Sequence, residues 1–152
     1  CTFTLFNTRL KIPTMEDFFN ETAMLTGNMY NLSPLQAHKL CLQGAILVDV
    51  REEHLNRHKI FDVSNLIFCP LKKLRDLIPA LPANKPLIVA DASGIHSPEA
   101  VKIMMDNGFS GKCANLSGGL VSWEHSGLPV KINYDERIPG NLITTPVPEN
   151  KD

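Results

Sequence analysis

Apolar positions along this chain gather in short, nearly continuous runs separated by segments of helical spacing. "AILVDV" (45–50), "NLIFCPL" (65–71) and "PLIVAD" (86–91) have the pattern of parallel strands buried on both faces. "CANL" (113–116) is a weaker run of the same kind, and "MYNL" (29–32) is a short strand candidate. Helical patterns lie between the runs: "PLQAHKLCLQ" after Ser33 as N-cap, with Pro34 at the first helical position and Gly44 as the stop. "LKKLRDLIPAL" (71–81), "SPEAVKIMMDNGF" (97–109) and "GLVSWEHSG" (119–127) read the same way. Strands alternating with short helices predict βα units and an open, mainly parallel sheet, hence an α/β fold.

The ends of the chain differ from this middle. "TMEDFFNETAMLTG" (14–27) places Phe18, Phe19, Met24 and Leu25 near helical spacing, with Thr14 as N-cap and Gly27 as C-cap. It predicts a helix on the outside of the domain, its apolar face packed within the chain or against a second copy. Beyond Pro129, "KINYDERIPGNLITTPVPENKD" is polar and Pro-rich and is expected to run as an extended tail. The organisation expected is therefore an N-terminal extension (1–28), one α/β domain (29–130) and a C-terminal tail (131–152).

Composition narrows the function classes. With 152 residues, 43% hydrophobic and 20% charged, the chain has the make-up of one soluble globular domain. A formal net charge of −1 gives no reason to expect nucleic acid or an anionic membrane as partner. No apolar run approaches the roughly 18 residues that span a bilayer. Cys1, Cys41, Cys69 and Cys113 show no C-x-x-C spacing, which argues against a zinc site and a disulfide scaffold. Buried free thiols in a reducing cytoplasm are the expectation. A chain beginning with Cys1 reads as trimmed, and a mature lipoprotein would begin the same way, so both readings stand.

The candidate chemistry lies at strand ends, where open α/β sheets bind their ligands. Asp49, Cys69 and Asp91 fall near three such ends. "ADASGIHSP" (90–98) joins a strand to a helix through a Gly-containing loop, the layout of an anion cradle, yet Asp91 puts an anion at its mouth. His54 and His58, with Glu52 and Glu53 beside them, have a spacing that would suit a transition metal on a helix; a solvated mixed-charge loop is the preferred reading.

"LVDVRE" (47–52), His58, "CPL" after a strand, the strand–loop–helix at 86–107 and "NLSGGLVSWEHSGLPV" (115–130) together resemble the rhodanese-like domain family. The resemblance runs from about Met29 to Val130. It implies a five-stranded, mostly parallel sheet flanked by helices on both faces. Active members are sulfurtransferases whose loop resembles C-R-x-G-x-R-S: the Cys carries a persulfide, loop amides encircle it, and the Arg side chains attract anionic sulfur donors. On that pattern Asp91 falls at the Cys, Ala92 at the first Arg, Gly94 at the Gly, His96 at the second Arg and Ser97 at the Ser, with Ser93 and Ile95 between them. The family's "GHIPGA" segment is replaced by "RHKIFDVSN" (57–65).

The resemblance therefore implies a divergent member with a degenerate loop. A carboxylate cannot carry a persulfide, so sulfur transfer through Asp91 is not expected. The preferred role of Asp91 is to accept hydrogen bonds from the loop's own amides, helped by His96 or Ser97, filling the cradle and capping the next helix. A bound cation or a hydrogen-bonding ligand at Asp91 is the other reading of the residue.

The family also implies structural roles for Asp49 and Arg51, and the turn at Gly118 and Gly119 is expected to lie beside the loop. Trp123 is expected in the core.

The function expected is a non-catalytic binding or regulatory module, with no cofactor and no metal, taking a protein partner or small ligand at the loop edge, as monomer or homodimer. The alternatives are a sulfurtransferase using the Cys69 thiol, a hydrolase using the Asp91 carboxylate, and a regulatory piece of a longer chain.

Overall fold

The structure, a computed structural model, describes residues 23–55 and 58–132. Among these, eight strands are β1 (Met24–Thr26), β2 (Met29–Leu32), β3 (Ile46–Asp49), β4 (Lys59–Phe61), β5 (Leu66–Phe68), β6 (Leu87–Ala90), β7 (Cys113–Leu116) and β8 (Val130–Ile132). The α-helices are α1 (Pro34–Leu42), α2 (Leu74–Leu77), α3 (Ser97–Asp106) and α4 (Gly119–His125). The main sheet has the order β1-β2-β7-β6-β3-β5. β2, β7, β6, β3 and β5 run parallel, and β1 joins the edge antiparallel to β2.

The apolar runs are continuous because both sheet faces are covered. Leu47, Ile88, Ala90, Ala114 and Leu116 pack with Ala37, Leu40, Leu120 and Trp123 of α1 and α4 on one face. Val48, Leu87, Val89 and Cys113 alternate with them and pack with Leu74, Ala100, Val101 and Met104 on the other. A fully buried Leu or Ile in either layer contributes about 1.5–3 kcal/mol. Trp123 is completely buried and packs edge-on against Phe61, with ring centroids 5.2 Å apart. Its indole N–H donates to the Pro129 carbonyl at 2.8 Å, so the polar end is satisfied as well.

α1 begins as its sequence implies. Ser33 Oγ accepts from the Gln36 amide, Gln36 Oε1 accepts from the Ser33 amide, and Pro34 opens the helix.

Three expectations are corrected. Residues 14–22 of the N-terminal helix lie outside the described residues, but its last turn is a strand: Met24–Thr26 pairs with Met29–Asn31, and Gly27 (φ +61°) forms the hairpin turn. A two-residue turn of this kind needs positive φ, which glycine adopts freely, and cross-strand pairing outweighs the weak helical spacing. The 71–81 helix is broken into a 3-10 turn (Leu71–Lys73), α2 and a second 3-10 turn (Ile78–Ala80). Pro79 has no N–H to continue an α-helical ladder, so the chain tightens there. The tail's first residues are also strand, since β8 pairs antiparallel with β4 as Phe61↔Val130 and Lys59↔Ile132. The rest of the tail lies outside the described residues.

Candidate functional site

β3, β5 and β6 end together on one edge of the sheet. Asp49 is in register with Phe68 on one side and Ala90 on the other, so Asp49, Cys69 and Asp91 share that edge. They do very different things there.

Asp49 and Arg51 form a closed pair. Arg51 Nη2 lies 2.7 Å from Asp49 Oδ2, with side chains 5% and 0% exposed. Arg51 Nε and its own amide also donate to the carboxylate, and Nη1 and Nη2 donate to the carbonyls of Leu55 and Lys59. Four of the five guanidinium N–H groups are thus engaged within its own segment. The pair fixes the path of the chain leaving β3 and offers nothing to a substrate.

Cys69 follows β5 and is also interior. Its sulfur belongs to the apolar layer with Val48, Val50 and Leu74, and burial pushes its thiol pKa up. Burial raises Cys41 to about 12 and Cys113 to about 11. All three are buried free thiols held in the protonated, unreactive form.

Asp91 opens the loop that follows β6. Its carboxylate is turned into the loop: Oδ1 accepts the Gly94 amide at 2.6 Å and Oδ2 accepts the His96 amide at 2.7 Å. The residue is only 3% exposed. Two backbone donors converging on one carboxylate make short, charge-assisted bonds. Ala92, Ser93, Ile95 and His96 lie on the exposed outer side of the loop.

The contributions expected from His96 and Ser97 differ from those observed. His96 gives its backbone N–H and not its imidazole, while the Ser97 hydroxyl turns inward to Asn115. Asp91 also closes the loop without capping the first turn of α3. The N-cap residue is His96, it has no side-chain cap, and Pro98 has no amide to offer.

The loop is held from below by the turn into α4. The Leu120 and Val121 amides donate to the carbonyls of Asp91 and Ala92 at 2.9 and 3.0 Å, so this helix start is already occupied. The approach is too close for side chains. A Cβ on Gly119 would lie 2.5 Å from the Asp91 carbonyl oxygen, and Gly119 itself has φ +60°. Gly94, Gly118 and Gly119 are thus one packed unit.

Two further features stand outside the residues singled out from the sequence. Asn115 stands in the middle of buried β7 and is 5% exposed, linking Ser97 to Asn31 of β2. A polar residue inside "CANL" was the available signal, because such a group must find partners. A recess of about 450 Å³ also opens beside Gly118, where β2 and β7 end, lined by Asn31, Ser33, Gln36, Ser117 and Ser122 among others. His54 lies in a turn and not on a helix, and among the described residues no group of three or more His, Cys, Asp or Glu side chains is placed to hold a metal ion. Nor is any described helix long and apolar enough to cross a membrane.

The five parallel strands, the covered faces and the loop at a strand end define a class of α/β domain, and comparison with known proteins identifies it. The rhodanese-like domain model matches residues 33–126, and the chain belongs to that family. It is 32% identical over 108 residues to the thiosulfate sulfurtransferase GlpE of Stutzerimonas stutzeri, covering 70% of this chain and 94% of that protein. GlpE of Haemophilus influenzae is 26% identical over 107 residues, covering 68% and 95%. Among solved structures, a rhodanese-related protein of Thermoplasma volcanium superposes with a TM-score of 0.58 at 24% identity, over 68% of this chain and 98% of that one. A Rhodopseudomonas palustris protein described as a possible tyrosine phosphatase gives 0.60 at 22% identity, over 78% and 94%. These two likenesses concern the fold.

Proposed function

We propose that this rhodanese-like domain is a catalytically silent binding or regulatory module whose active-site cradle is filled by its own Asp91. The observation that carries this reading is the pair of bonds from the Gly94 and His96 amides to the Asp91 carboxylate. Amides so used are not free to encircle a persulfide or to receive an anionic sulfur donor. The family pattern puts Asp91 at the persulfide cysteine and His96 at an anion-attracting arginine. A carboxylate has no sulfur to pass on, and an exposed imidazole lacks the planar, bidentate fork of a guanidinium. The thiol placed on this edge, Cys69, is buried, which weighs against its taking over.

The second reading is sulfur transfer, favoured by the relatives named thiosulfate sulfurtransferases. A thiosulfate:cyanide assay separates the two. The silent-module reading expects no thiocyanate above that made by a variant with every cysteine replaced. Turnover abolished by Cys69→Ala would establish the second reading instead. The double substitution Asp91→Cys with His96→Arg asks whether only side chains were lost. Exposed to thiosulfate, it is expected to gain one sulfur atom by mass and release sulfite.

A further inference from the structure

Behind the loop, four side chains from four elements form one directional line of hydrogen bonds. Ser97 Oγ, at the start of α3, donates to Asn115 Oδ1 of β7 at 2.5 Å. Asn115 Nδ2 donates to Asn31 Oδ1 of β2 at 3.0 Å. Asn31 Nδ2 then donates to Thr26 Oγ1 of β1 at 3.0 Å, and to the carbonyls of Met24 and Met29 at 3.2 and 3.3 Å. Ser97 is completely buried and Asn115 nearly so, so neither can exchange its partner for water.

The direction of the line is fixed at every step. Asn31 must turn its NH₂ to the Met24 and Met29 carbonyls, which leaves its Oδ1 facing Asn115. Asn115 must then donate there with Nδ2 and accept from the Ser97 hydroxyl with Oδ1. A chain whose donors all point one way is polarised cooperatively, and breaking one link weakens the others. Ser97 is bonded covalently to His96, whose amide is held by Asp91. At the other end, Asn31 and Met24 line the recess beside Gly118.

We infer that the Ser97–Asn115–Asn31–Thr26 line couples the β1–β2 hairpin and its recess to the Asp91 loop, so that a disturbance at the hairpin is felt at the loop amides. This goes beyond the silent-module reading: it reads the same Asp91-held amides but does not require the loop to be without activity. Coupling of this kind is a free energy between two places and is measured by a double-mutant cycle.

The test is residue-by-residue amide hydrogen exchange on the ¹⁵N-labelled chain. Asn31→Ala is expected to accelerate exchange at Gly94 and His96 at least tenfold, while Leu40 and Cys41 in α1 stay within twofold. Unchanged loop amides, or the same acceleration in α1 as in the loop, would overturn the inference. In a Ser97→Ala background, Asn31→Ala is expected to add nothing further at the loop. A second acceleration of full size there would also overturn it. Thr26→Ala, on the exposed hairpin, repeats the test without disturbing a buried position, and is expected to act in the same direction by a smaller factor; no effect at the loop counts against the line.

Discussion

Gly94 and Gly118 meet backbone to backbone: a Cβ on Gly94 would lie 2.7 Å from the Gly118 amide nitrogen. The contact seats the loop after β6 on the turn before α4, and it leaves no room for the smallest side chain. Gly94 also has φ +87°, where L residues are strained. Gly94→Ala is therefore expected to cost about 2 kcal/mol or more, seen as a melting point lower by roughly 8 °C in a domain of this size. A melting point within 2 °C of the parent would mean that the loop can lift off the turn cheaply.

Asp91 supplies the second prediction. Asp91→Ala leaves the Gly94 and His96 amides without their acceptor, which is expected to cost about 1–3 kcal/mol. The vacated cradle then offers two convergent N–H groups to an oxyanion. Sulfate, compared with chloride at equal ionic strength, is expected to raise the variant's melting point more than the parent's. Equal shifts in the two proteins would show general salt stabilisation only.

The Asp49–Arg51 pair gives a third. Removing either partner strands a buried charge, and Arg51→Ala is expected to cost about 3–5 kcal/mol. The double variant Asp49→Ala, Arg51→Ala is expected to be less destabilised than the sum of the singles, because no lone charge remains. Strict additivity in urea unfolding would remove the pairing argument.

The thiols give a fourth. With Cys41 at about 12 and Cys113 at about 11, the thiolate fraction at pH 8 is on the order of 10⁻⁴ and 10⁻³. The sign follows from the raised values: each thiol stays protonated through neutral pH, and its reactivity climbs only as pH approaches those values. Iodoacetamide at pH 8 is expected to leave Cys41, Cys69 and Cys113 unlabelled in the native chain for hours and to label all three in denaturant. Peptide mass spectrometry reads each site separately. Fast native labelling of Cys69 would reopen it as a working thiol.

The strands that form the parallel core were legible because burial on both faces leaves an unbroken apolar run, as in "PLIVAD". The loop was legible too, since a strand, a glycine and a helix-starting Ser-Pro follow one another directly. β4 and β8 were not. Lys59–Phe61 and Val130–Ile132 are too short for a periodic signal, and each is a strand only because the other lies beside it. The same holds at Met24–Thr26, where local spacing pointed to a helix and pairing with β2 decided otherwise. Pro79 stands in the sequence, and its missing N–H breaks the helical spacing of the 71–81 segment.

The sequence by itself determined the layered α/β fold, the family, and the fact that a carboxylate stands where the loop begins. Those follow from period, turn chemistry and residue type, all of which are local. The tertiary structure alone decided that the Asp91 carboxylate faces inward onto two amides, that Ser97 turns to Asn115 instead, and that Gly94 rests on Gly118. Each of these depends on which atoms from distant segments come within hydrogen-bond or van der Waals reach, and only the folded packing brings them there.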